Sequence, residues 1–233
     1  MKKFILFILL GGLTSPLIGQ TIEKRTIGDY DAIYISGWFD VDLVPGEEGT
    51  IELNGKEKYL KYISTEVNNG KLTVKWDKRY NATPFYSWSK IQITIPVEDI
   101  EEVALSGSGS IIGKTTLKAS KFATYLSGSG KIDLAVEATD LKSVLSGSGD
   151  AILNGTAKDF VAEVSGSGDI EAFDLEADKV TAIISGSADV KVHANESITA
   201  RISGSGDVRY IGRARKINSK VSGSGSVSKE NSL

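Results

Sequence analysis

Four aspartates, Asp150, Asp169, Asp189 and Asp207, each directly follow a Ser-Gly-Ser-Gly or Ser-Gly-Ser-Ala string. If these strings are equivalent corners of stacked strands, the carboxylates form a column with spacings of about 5 Å and repel one another. A calcium ion between rungs would relieve that repulsion. Ser110 and Lys131 occupy the same place in two other copies and break the column. The Gly-to-Asp offset also differs from that of the nonapeptide calcium rolls. Aspartates that enter a strand and accept hydrogen bonds from the corner backbone are therefore the first expectation, with calcium as the alternative.

Other catalytic groups are scarce. The chain has one histidine, His193, and no cysteine, which excludes a zinc centre of the usual ligands and a cysteine nucleophile. His193 falls where other copies carry Leu117, Val136, Gly155, Leu175 and Gly212, at a rung edge. Serines are abundant, but nothing resembles a nucleophile elbow. Lys191, Arg201, Arg209, Arg213, Arg215 and Lys216 gather late in the chain. A polysaccharide lyase on a β-helix would gather acids and bases on one sheet face. Residues 106–184 show no matching site, so a lyase-like enzyme stays the alternative to a protein with no catalytic residue and no cofactor.

The richest binding chemistry lies in residues 76–88, where Trp76, Tyr80, Phe85, Tyr86 and Trp88 surround Pro84. Exposed aromatics stack on sugar rings or grip partner proteins. The same segment folded over an open end would only keep it dry.

What must position these residues is a repeat. Bulky aliphatic residues precede serines 106, 127, 146, 165, 185, 203 and 222, at steps of 21, 19, 19, 20, 18 and 19 residues. So short a period means one small unit stacked on its copies. The fifth residue after each leading serine is apolar, from Ile111 and Ile132 to Val227. Triplets such as Phe122-Thr124-Leu126, Phe160-Ala162-Val164 and Ile198-Ala200-Ile202 read large, small, large at alternate positions, the signature of a strand with one face inward. Alanines 119, 138, 157, 177, 194 and 214 mark a second corner. An antiparallel meander would not demand the same residue in the same place each time. Strands that each pair with their copy one turn later do. The expected fold is all-β, a single-stranded parallel β-helix with coils of about 19 residues. Gly107, Gly128, Gly147, Gly166, Gly186, Gly204 and Gly223 are its structural turn residues.

Residues 21–105 hold one echo of the motif, Ile35-Ser36-Gly37, and turn signals at Pro45-Gly46, Asn54-Gly55 and Asn68-Asn69-Gly70. They are expected to form the first irregular coils and cap of the 106–233 repeat, within the same domain. Residues 1–20 have the basic start, apolar stretch and small-residue exit of an export signal, cleaved after Gly19 or Gln20. Without it the chain carries 25 basic and 30 acidic side chains, which argues against nucleic acid as a partner. No later apolar run approaches the roughly 20 residues of a membrane span.

The Ile35-Ser36-Gly37-Trp38-Phe39-Asp40-Val41 element, the strand Ile91-Gln92-Ile93-Thr94-Ile95-Pro96 and the tandem Leu-Ser-Gly-Ser-Gly-Asp units together resemble the head GIN domain family of auto-transporter adhesins, common in exported proteins of Bacteroidetes-type bacteria. The resemblance runs from about Thr26 to Val227. It implies a right-handed β-helix and an adhesive role, and it brings no catalytic residues. An auto-transporter needs a C-terminal membrane barrel, which this sequence lacks, so the expectation concerns binding and not a secretion route. The expected protein is exported to the periplasm, outer surface or medium and binds glycans or envelope or host surface proteins. A purely structural envelope role is the further alternative.

Overall fold

The computed structural model describes residues 20–77 and 90–230. Eight short strands come first: β1 (Thr21–Gly28), β2 (Ala32–Gly37), β3 (Asp40–Pro45), β4 (Gly49–Gly55), β5 (Ile63–Asn68), β6 (Lys71–Trp76), β7 (Gln92–Val97) and β8 (Glu102–Gly107). One helical turn, α1 (Glu57–Leu60), lies between β4 and β5. Five long strands follow: β9 (Ser110–Gly128), β10 (Lys131–Gly147), β11 (Asp150–Gly166), β12 (Ile170–Gly186) and β13 (Asp189–Gly204). The chain then gives β14 (Asp207–Ile211), β15 (Lys216–Gly223) and β16 (Val227–Lys229).

Each long strand bends once and crosses both walls of a β-solenoid. In β10, Ile132, Leu134 and Val136 face inward on the first wall, and Leu141, Ser143 and Leu145 on the second. Successive long strands pair in parallel with the columns in register: Leu141 lies beside Phe160, Ser146 beside Ser165, and Gly147 beside Gly166. The middle of each triplet is small because the two walls are close. Thr124, Ser143, Ala162, Ala182 and Ala200 are all buried there, and Thr124 Oγ1 donates a 2.9 Å hydrogen bond to Ser143 Oγ, so neither hydroxyl is buried unpaired.

The unequal steps are absorbed away from the Ser-Gly corner. The 21-residue step is a register shift between Asp133 and Ala135 against β9, and the 20-residue step one between Ile152 and Gly155 against β12. The 18-residue step comes from shifts between Ala172 and Lys179 against β13. This last shift moves His193 beside Glu176 instead of Leu175, one place from the column its spacing suggested. The Ser-Gly corner takes no insertion because it is packed backbone on backbone. A Cβ on Gly166, whose φ is +131°, would stand 2.2 Å from the Gly147 carbonyl oxygen. The second glycine of the corner is left-handed in none of the repeats, and in one of them its place is taken by Ala188, which is fully buried.

The N-terminal part departs from a simple climb. The unit β2–β3 stacks on β8–β9, with Ser36 beside Ser106 and Asp40 beside Ser110. The unit β6–β7, later in sequence, stacks outside it, with Lys75 beside Ser36 and Gln92 beside Asp40. Antiparallel strands then close this end: β4 on β7, β1 on β4, and β5 on β6. The β5–β6 hairpin turns through Asn69 (φ +51°) and Gly70 (φ +75°), the two-residue turn that Asn-Gly favours. Arg25 reaches from β1 over the end, its guanidinium donating to the carbonyls of Leu60 and Ile63. Tyr30 donates a 2.6 Å hydrogen bond to the Pro96 carbonyl, and burial, helped by the charge of Glu48, pushes its phenol pKa upward. One hydrophobic core runs from Tyr30 to Ala214. No helix among the described residues is long and apolar enough to cross a membrane.

Candidate functional site

Stacked Ser-Gly corners make a ridge along the solenoid. Both serines of every inner corner are exposed, from Ser127 and Ser129 to Ser203 and Ser205. The peptide groups between them are used within the stack: the N–H of Ser129, Ser148, Ser167, Ser187 and Ser205 donates to the corner carbonyl of the rung before. The hydroxyls stay on the surface as paired rows of small donors and acceptors.

The ridge ends at an aromatic step. In the β2–β3 corner Trp38 stands where the next rung has Ser108, and Phe39 stands where it has Gly109. Phe39 turns into the core and is fully buried. Trp38 stays 38% exposed, its ring 5.0 Å from that of Trp76 at an interplanar angle of 30°. Trp76 also stacks on Phe39 at 5.0 Å and covers Gly37, where any side chain would meet the indole at 3.0 Å. In the outermost rung Trp76 holds the corner-glycine position and Gln92 the strand entry, so 15 residues span what two residues span between Gly37 and Asp40. The corner that tolerates no insertion elsewhere accepts one here, where among the described residues no further parallel rung lies outside β6–β7 to pack against it.

Beside the step lies an open cavity of about 490 Å³, lined by Ser36, Gly37, Trp38, Lys75, Trp76, Ser106, Gly107 and Ser108. Its wall is indole and its floor is small hydroxyls and peptide. Of the sequence-derived candidates, Trp76 is in this wall; Tyr80, Phe85, Tyr86 and Trp88 lie outside the described residues, in the insertion whose two ends are anchored here. Trp38 was missed, although a tryptophan in place of a ridge serine is a signal that the alignment of corners carries.

From Asp169 onward the aspartate column is occupied by the backbone. Asp189 N–H donates to Asp169 Oδ1 at 2.8 Å, Asp207 N–H to Asp189 Oδ1 at 3.3 Å, and Ser226 N–H and Oγ both to Asp207 Oδ1 at 2.8 Å. Arg209 adds a cation, 3.5 Å from Asp189 and 4.0 Å from Asp207. Among the described residues no cluster of three or more His, Asp or Glu is spaced to hold a metal ion.

The late basic residues do not converge. Lys191 and Arg209 face outward on the first wall, where Lys191 pairs with Glu171 at 3.3 Å. Arg201 and Lys216 are on the second wall. Arg213 lies at the alanine corner, in a cavity of about 580 Å³ with Glu176, His193, Asn195, Lys229 and Glu230. Glu230 is 3.8 Å from Arg209, and Arg213 donates to Asn195 at 3.5 Å, so this mixed set is tied to its neighbours.

A family model described as "Putative auto-transporter adhesin, head GIN domain" matches residues 29–214. The chain belongs to the head GIN domain family. This head GIN protein is also similar to solved structures that it covers from end to end. A "putative adhesin" from Bacteroides fragilis superposes with a TM-score of 0.81 at 22% identity, over 91% of this chain and 97% of that one. A "putative lipid binding protein" from Parabacteroides distasonis gives 0.71 at 26% identity, and a "putative adhesin" from Parabacteroides merdae 0.68 at 23%, each over the same shares of the two chains. No curated protein matches the chain. The solved relatives bear out the solenoid expected from the columns, and the family match bears out the resemblance read from the corner motifs.

Proposed function

We propose that this head GIN protein is exported and acts, without catalysis, as a binding scaffold of the cell envelope or surface that takes glycans at the Trp38–Trp76 step. The observation that carries the reading is the replacement of a ridge serine by Trp38, which sets an exposed indole face against a floor of serine hydroxyls. Sugars present an apolar C–H face and a hydroxyl rim, and this cavity offers a partner to each. Among the described residues Lys75 is the one charged side chain in its lining, which suits a neutral or acidic sugar. The sequence that follows Trp76 carries Tyr80, Phe85, Tyr86 and Trp88, further aromatic residues of the kind that bind sugars. The adhesive name of the family and of two solved relatives points the same way.

Glycan-array binding of the wild type against Trp38→Ala and Trp88→Ala tests it. A saturable signal lost in both variants is expected. Binding unchanged in Trp38→Ala would remove the step from the site, and no binding by any form would favour a structural envelope role. Release of unsaturated sugar from a polymer would establish a lyase instead.

A further inference from the structure

At the C-terminal end of the described residues the last rung is covered on one wall only. On the first wall β14 is covered by β16 in parallel register, Val208 beside Val227. On the second wall β15 pairs with β13 alone, from Ser197 beside Lys216 to Gly204 beside Gly223, and every residue of β15 is exposed. Two of these residues belong to core columns. Ile217 continues Phe122, Leu141, Phe160, Val180 and Ile198, all buried, yet is 50% exposed; Val221 continues Leu126, Leu145, Val164, Ile184 and Ile202, also buried, yet is 40% exposed. Along its outer edge β15 has no ladder partner among the described residues, so a row of peptide donors and acceptors faces outward.

The charges say what fits that edge. On the inner rungs several in-register neighbours carry opposite signs, Lys118 with Glu137 at 2.8 Å, Lys142 with Glu163 at 3.0 Å and Lys179 with Asp159 at 3.8 Å, and the like pair Lys191 and Arg209 is compensated by Glu171 and Asp189. At the open end Lys220 lies in register beside Arg201, two like charges in adjacent rungs, which destabilises a ladder. Arg201, Lys216 and Lys220 form no ion pair with any described residue. Residues 190–230 hold eight basic and three acidic side chains in a chain that is otherwise acidic.

We propose that β15 is a strand-addition site for an extended segment of another polypeptide, in which acidic and apolar residues alternate. The incoming strand pairs with the outer peptide groups of β15, lays apolar side chains over Ile217 and Val221, and sets carboxylates against Lys216 and Lys220. A second copy of this chain fits poorly. Two β15 strands would bring their lysines together, and the opposite end of the solenoid is closed by antiparallel strands and by Arg25. A lipid surface would leave the peptide groups unpaired.

The probe is a fluorescent peptide, Glu-Ile-Thr-Ala-Glu-Ile-Ser, titrated into the full chain by anisotropy, with Lys-Ile-Thr-Ala-Lys-Ile-Ser as its reverse. Saturable binding of the acidic peptide alone is expected, with slowed amide exchange in β15. Lys216→Glu with Lys220→Glu should weaken it at least about tenfold and transfer preference to the basic peptide. These side chains are exposed and Lys220→Glu relieves the repulsion with Arg201, so the circular dichroism should be unchanged and the melting temperature no lower than that of the wild type. Failure of the acidic peptide to bind, equal binding of both peptides, or binding without protection of β15 amides would overturn the proposal. So would concentration-dependent self-association abolished by Lys220→Glu, which would make a second copy the occupant, or tighter binding to phosphatidylglycerol vesicles than to the peptide.

Discussion

The peptide N–H of Asp189 points at Asp169 Oδ1, 2.8 Å away, so a carboxylate of one rung caps the strand entry of the next. The link recurs from Asp189 to Asp207 and from Asp207 to Ser226. A carboxylate that accepts a backbone N–H needs no metal to be stable. Calorimetric scans with millimolar calcium and with chelator should therefore superimpose. A rise of several degrees with calcium would assign the column to the ion. Asp189→Ala should lower stability by no more than about 1 kcal/mol, because the Asp207 N–H keeps the Ala188 carbonyl at 3.2 Å and Arg209 keeps Asp207 and Glu230.

Gly166 and Ser167 are neighbours with opposite tolerance. Gly166→Val forces a side chain onto the Gly147 carbonyl in a left-handed conformation, costing at least about 1–3 kcal/mol. That lowers the melting temperature by roughly 2–12 °C for a chain of this size. Ser167 has an exposed side chain on the ridge, and Ser167→Ala should melt within about a degree of the wild type. Thermal denaturation followed by circular dichroism distinguishes the two.

Thr124 and Ser143 test the narrow core. Thr124→Val removes one hydroxyl and leaves Ser143 buried without its partner, at about 1–3 kcal/mol. Adding Ser143→Ala should recover part of that loss, since no polar group is then left unpaired. A double-mutant cycle in urea measures the coupling. Additive losses would show that the bond contributes nothing.

Tyr30 gives the N-terminal cap a pH dependence of known sign. Its phenol is the neutral, donating form, and its folded pKa lies above the ordinary value of 10.0. The stability it adds is complete below pH 10 and is lost as the pH rises above that value. Tyr30→Phe should be less stable than the wild type at pH 8 and should lose less on going from pH 8 to 11. Equal alkaline losses in the two forms would remove Tyr30 as their source.

The columns of the repeat were legible because a solenoid places each residue beside its own copy. Period, strand positions, the small triplet residue and the corner glycines all follow from that local rule. The N-terminal cap was less legible. Its outermost unit, β6–β7, comes after β2–β3 in the chain yet stacks outside it, an order set by long-range pairing of Lys75 with Ser36 and not by spacing. The aromatic cluster was visible as composition, and Trp76 proved to be part of the step. Trp38, one residue in another unit, became a candidate only when its corner was stacked against Ser108.

By itself the sequence determined the wound ribbon, since like residues at a fixed period can be buried together only by parallel stacking. Tertiary structure alone decided how the two ends of the described ribbon differ: at one, antiparallel strands and Arg25 close the core, and at the other Ile217 and Val221 continue buried columns into solvent. The reason is physical. A repeat encodes the contact between neighbours equally everywhere, whereas an end is defined by the neighbour that is absent, which no periodicity records.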